Sequence, residues 1–156
     1  MPEHDNETKL TDADRLVLSA VMDLIVPAVD ELPGAGEMGL AEAAEEFAGK
    51  EVKYGVSLGR VMEALSLEPS ARAEGGFAAL DEEQRVAALQ VLEANIPGYF
   101  DDFVDLVYIV YYSDERVHKR IGWRSGPLQP LGWEMPAWDP AVLETVSKRK
   151  PFWRKV

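Results

Sequence analysis

Helical periodicity in this chain stops at Gly122, and that stop constrains the fold more than any other feature. Before it, apolar residues recur at helical spacing behind recognisable caps. After it, Pro127, Pro130, Pro136, Pro140 and Pro151 interrupt every regular pattern, and all four tryptophans (Trp123, Trp133, Trp138, Trp153) are gathered there. A long stretch without regular structure is normally either functional or disordered, and disordered segments are poor in aromatic residues. A tryptophan-rich irregular segment therefore reads as an arm that lies on a surface. Within it only residues 139–148, with Pro140 at the first position, carry the pattern of a short helix.

Upstream, Thr11 and Asp14 form a capping box with Leu10 over the first turn, opening the run DADRLVLSAVMDLIVP. Val17, Val21, Leu24 and Ile25 are expected on its inner face, with Leu16 and Ala20 widening it, and Pro27 ends it. The loop AVDELPGAGEMG follows, then an Ala/Glu-rich helix over about residues 38–48, closed by Gly49. Residues 50–76 give conflicting signals: Val61, Met62 and Leu65 suggest a short helix, while Gly55, Gly59, Pro69, Gly75 and Gly76 suggest irregular chain. Asp81 and Gln84 make a second capping box before EEQRVAALQVLEAN, with Val86, Leu89 and Leu92 inward.

After the Pro97-Gly98 break, YFDDFVDLVYIVYY reads as a helix with Phe100, Phe103, Val104, Val107 and Val110 on one face. Its aromatic, β-branched last turn invites a strand, but Asp101-Asp102 and Leu106-Val107 break the alternation a strand needs. Ser113 caps a short helix, DERVHKRI, ended by Gly122. The expected fold is all-α: a frayed N-terminus at residues 1–10, a compact bundle of about five or six helices over 11–122, and an extended Pro/Trp-rich arm over 123–156. At 156 residues and 17.3 kDa the chain is large enough to bury a core of its own.

Charge divides at nearly the same place. The whole chain carries 16 basic and 28 acidic residues, a formal charge of −12. Residues 1–115 hold 7 basic and 25 acidic side chains, whereas residues 116–156 hold 9 basic and 3 acidic. An acidic chain repels phosphate backbones, so nucleic acid is not an expected partner. The most apolar stretch, residues 16–29, is broken by Ser19, Asp23 and Pro27 and falls short of the roughly 20 residues a membrane helix needs. No membrane span is expected. The polar, acidic N-terminus has neither a basic n-region nor an apolar h-region, which sets the expectation of a cytoplasmic protein.

Catalytic constellations are wanting. Cysteine is absent, which removes disulfides, Cys-type zinc sites and Cys nucleophiles, and His4 and His118 are the only imidazoles. The acid pairs Asp101/Asp105, Glu42/Glu46 and Glu45/Glu46 are not distinguished by spacing from a solvated face. His118 in VHKR has no companion ligand at helical spacing and reads as a surface or interface histidine. No serine lies in a G-x-S-x-G context. PGAGEMG follows a helix and lacks the Lys-Ser/Thr of a phosphate loop, so nucleotide binding is not expected there. No cofactor and no metal is therefore expected in this chain.

Trp, Tyr and Arg dominate the energetics of protein interfaces, and the arm supplies Trp and Arg with Tyr111, Tyr112 and Arg120 just upstream. Two uses remain open: an arm on another protein, or an arm folded back as a lid on a stand-alone small-molecule binding protein. A small enzyme working from the acidic face is a third and weaker reading.

Three segments in order, LSAVMDLIVPAVDELPGAGEMGL, FAALDEEQRVAALQVLE and YYSDERVHKRIGWRSGPLQPLGW, resemble the small-subunit family named after gluconate 2-dehydrogenase subunit 3. The likeness lies in a helix ending Ile-Val-Pro-x-x-Asp and running into Pro-Gly-Ala, a Phe-x-x-Leu start to a central helix, and Tyr-Tyr-Ser-Asp followed by Ile-Gly-aromatic. It spans about residues 16–132, with a weaker echo to Phe152. The resemblance implies a non-catalytic helical subunit bound to a large flavin-dependent dehydrogenase of the glucose-methanol-choline class. The partner would hold the FAD and oxidise sugars, sugar acids or polyols, often passing electrons to a cytochrome or quinone. On this reading Trp123, Trp133, Trp138, Phe152 and Trp153 are the expected anchors on the partner, with Arg120 and Arg124 bonding its carboxylates. Tyr111 and Tyr112 are expected where the arm leaves the body. Pro27, Asp30, Gly34 and Ala35 match the family's turn and are expected to be structural. Many members carry a twin-arginine export signal absent from this N-terminus, so a periplasmic location would require the signal on the partner.

Overall fold

The structure is a computed structural model and describes residues 9–123 and 137–150. Residues up to Arg124 form one compact unit and residues from Ser125 a second, and each is taken by itself. The first unit is built from α1 (Asp12–Ile25), α2 (Ala41–Lys50), α3 (Val52–Leu67), α4 (Pro69–Ala73), a 3-10 turn (Phe77–Ala79), α5 (Glu82–Asn95), α6 (Pro97–Ser113) and α7 (Glu115–Arg120). Among the described residues there is no β-strand, and the fold is the expected helical bundle.

Both expected capping boxes are formed. Thr11 Oγ accepts from the Asp14 amide at 3.1 Å while Asp14 accepts from the Thr11 amide at 3.0 Å, and Asp81 and Gln84 do the same for α5. Each box satisfies two amides that a helix N-terminus otherwise leaves unpaired. The hydrogen bonds from Thr11 hold the Asp14 carboxyl below the usual range, so the cap remains charged. Leu10, placed within the segment expected to fray, is buried, and its amide donates to Glu45 at 2.9 Å.

The central pair is α3 and α6, with α2 packed against both and α1 packed against α2, α6 and the 3-10 turn. Phe103, Leu106 and Val107 of α6 meet Leu58, Val61 and Leu65 of α3 in the core, joined by Leu18, Val21 and Met22 of α1 and by Val117 of α7. Burying each such side chain contributes about 1.5–3 kcal/mol. The inner face of α1 is rotated from the expected one: Leu18 and Met22 point inward and Leu16 is 70% exposed. A similar rotation puts Ala88 inside α5 in place of Val86.

Residues 50–76, ambiguous in sequence, are mostly helical. α3 runs for 16 residues straight through Gly55 and Gly59. Gly55 is there for closeness: a Cβ at this position would lie 2.8 Å from the Ala48 carbonyl oxygen, so the missing side chain lets α2 and α3 approach. Gly49 does not end α2, which continues to Lys50. Ser113 does not cap α7 either. Its hydroxyl donates back to the Ile109 carbonyl within α6, and Asp114 is the cap, accepting from the Arg116 amide at 2.8 Å.

The second unit contributes α8 (Ala141–Ser147), preceded by Pro140 and by Asp139, whose carboxylate accepts from the Ala141 amide at 2.9 Å.

Candidate interaction surface

At the C-terminal ends of α6 and α7 the body presents large side chains to solvent. Tyr108 and Tyr112 lie one helical turn apart on α6 with ring centroids 6.3 Å apart, 43% and 53% exposed. Tyr111 packs edge-on against Tyr112 at 5.2 Å and is itself half-buried against the core. Past α7, Ile121 is 56% and Trp123 54% exposed.

His118 joins the two ends of this ridge. Its Nε2 lies 2.6 Å from the Tyr112 carbonyl oxygen, and since a carbonyl can only accept, Nε2 carries the proton and donates. The imidazole centroid is 6.4 Å from the Trp123 indole, and the Trp123 amide donates to the His118 carbonyl at 2.8 Å. The imidazole therefore contacts both the Tyr112 backbone and the Trp123 ring. Its Nδ1 is buried and has no partner. Tyr108 and Ile121 were not among the expected contact residues. Tyr108 could have been found from its four-residue spacing to Tyr112, while nothing local marks Ile121.

Arg120, expected to bond carboxylates of a partner, has carboxylate partners within its own chain. Its guanidinium pairs with Asp30 and, through Nε at 3.1 Å, with Glu31, both in the loop after α1. It is therefore engaged within its own chain. Asp30 meets it from a left-handed backbone conformation, φ 53°. Arg116 is likewise occupied, bonding Asp114 at 2.7 Å and the Met38 carbonyl at 3.0 Å. This hydrogen bonding holds the Asp114 carboxyl below the usual carboxylate range and the Arg116 guanidinium above its ordinary value. Trp138 is exposed in the second unit. Arg124, Trp133, Phe152 and Trp153 lie outside the described residues.

The loop PGAG, weighed above as a phosphate cradle, does not fit a dinucleotide. The amides of Gly36 and Glu37 donate to Asp23 Oδ1 of α1 at 2.8 and 3.0 Å, so a carboxylate occupies the place a phosphate would take. Gly36 is pressed onto α1 so closely that a Cβ would fall 1.9 Å from the Ser19 carbonyl oxygen. Ala35 is fully buried and its amide donates to Val26. Acid pairs do not converge either. Glu45 goes to Arg15 at 2.8 Å and Glu46 to Lys50 at 2.6 Å, while Asp101 and Asp105 are exposed. Among the described residues no three His, Asp or Glu side chains converge to hold a metal, and no helix is long and apolar enough to cross a membrane.

A family model described as gluconate 2-dehydrogenase subunit 3 matches residues 12–127. The match covers α1 through α7, with the whole tyrosine and tryptophan ridge inside it. No curated protein and no solved structure matches the chain.

Proposed function

This chain belongs to the gluconate 2-dehydrogenase subunit 3 family, and from that premise we propose that it is the non-catalytic accessory subunit of a large FAD-dependent dehydrogenase of the glucose-methanol-choline class. A subunit of a dehydrogenase complex is what the family description itself states. The partner's class, its FAD and its substrates, taken as sugars, sugar acids or polyols, are the proposal. The flavin and the oxidation belong to the large subunit, with a cytochrome or quinone receiving the electrons.

One observation supports contact through this face: the exposed residues Tyr108, Tyr112, Ile121 and Trp123, with His118 in contact with both Tyr112 and Trp123. Aromatic anchors of this kind concentrate the binding energy of interfaces. The ridge also immediately precedes the tryptophan-rich segment in sequence. Binding would stabilise the folded, FAD-loaded state of the large subunit by mass action.

Co-expression with a flavoprotein encoded beside this chain tests the reading. Full-length chain should co-purify with an FAD-loaded large subunit, while truncation after Gly122, or Tyr112→Ala with Trp123→Ala, should weaken the complex about 10- to 100-fold and lower soluble flavin-loaded enzyme. An undiminished complex with both variants would refute it.

A further inference from the structure

Beside the N-terminal turns of α1, a cavity of about 370 Å³ opens between α1, the end of α3, α4 and the 3-10 turn. This lies at the lower end of the size range of small-molecule pockets. Val17, Met62, Leu65 and Phe77 give it an apolar floor, and Asp14 and Arg72 stand among its lining. The two charges differ in availability. Asp14 is committed to the α1 capping box through the Thr11 amide and hydroxyl.

Arg72 is the odd one out among the basic residues of the acidic region. Arg15, Lys50, Lys53 and Arg60 each pair with a carboxylate, Arg85 bonds the Ala78 carbonyl and lies over the Phe77 ring, and Lys9 also has an interaction. Among the described residues Arg72 alone of these seven has a side chain without a hydrogen bond or ion pair. It is exposed and stands at an apolar cavity.

We propose that this cavity binds a small amphipathic carboxylate, with the carboxylate on the Arg72 guanidinium and a short alkyl body over Leu65 and Phe77. Apolar lining with a few placed polar groups is the usual composition of a ligand site. A guanidinium takes a carboxylate by two parallel N–H···O bonds, which sets the head-group preference. The inference is independent of the dehydrogenase partnership and rests on the cavity and Arg72 alone.

Titration of full-length protein with hexanoate, octanoate and octanol, followed by amide chemical shifts, tests it. Octanoate should bind saturably with shifts at the cavity lining, about tenfold tighter than octanol, and affinity should rise about threefold to fourfold for each added methylene. Arg72→Gln, at an exposed position that leaves the fold intact, should remove the preference for octanoate over octanol while octanol binding persists. Absence of saturable binding at millimolar octanoate would overturn the proposal. So would an unchanged preference in Arg72→Gln, or an affinity that does not depend on chain length.

Discussion

Asp23 shows how much a single side chain settles in this molecule. Its carboxylate takes the amides of Gly36 and Glu37 and so fixes the loop between α1 and α2. Replacement by Ala leaves two amides without their acceptor and is expected to cost about 1–3 kcal/mol, read as a lower urea midpoint at unchanged slope. Gly36→Ala should be at least as damaging, because its Cβ would collide with backbone that cannot rotate away. Glu45 is a second case. The hydrogen bond from Arg15 holds its carboxyl below the usual range, and the same side chain anchors the Leu10 amide. With the folded-state value depressed, its contribution is complete above the ordinary glutamate value of about 4.3 and drains as pH falls through the folded-state value. Glu45→Gln should therefore cost about 1 kcal/mol at pH 7, with the difference from the parent narrowing below about pH 4.5 in urea titrations at each pH. Arg120 also acts locally: Arg120→Ala should loosen the loop at Asp30 and Glu31 more than it weakens a complex.

At the scale of elements, α3 is the telling case. Its two glycines and the prolines and glycines beyond it argue for irregular chain, yet it forms a helix at the centre of the bundle. Tertiary packing overrides propensity here, since Gly costs about 1 kcal/mol against Ala in a helix interior, while Leu58, Val61 and Leu65 are buried together against α6. Leu58→Ala is expected to destabilise by about 2–5 kcal/mol by calorimetry or urea melting. Gly55→Ala, a gain by propensity, should instead lose stability because of the Ala48 carbonyl. By contrast α1 and α5 were legible at their starts, where both capping boxes are local four-residue patterns. Their inward faces were not fully legible. When most positions of a helix are apolar, as in LVLSAVMDLIV, several faces fit the period, and only neighbours decide between Leu16 and Leu18.

The whole molecule changes what the charge division means. Of the basic residues after Glu115, Arg116 and Arg120 pair within the body with Asp114, Met38, Asp30 and Glu31. Among the exposed residues at that end stand the large hydrophobics Tyr108, Tyr112, Ile121 and Trp123. Association with the large subunit should accordingly depend more on Tyr112 and Trp123 than on ionic strength. Raising salt from 0.05 to about 0.3 M should change the dissociation constant of the complex severalfold at most, whereas the aromatic substitutions should cost at least tenfold.

By itself the sequence determined the helical class, the capping boxes of α1 and α5 and the family, because each is written in neighbouring residues or in motifs kept in order. Tertiary structure decided the rest. That α3 is a helix, that Arg120 pairs on the surface with a loop 90 residues away, and that Arg72 is left without a partner beside an apolar cavity all depend on residues distant in the chain. Their proximity is set by packing, and packing has no local signature to read.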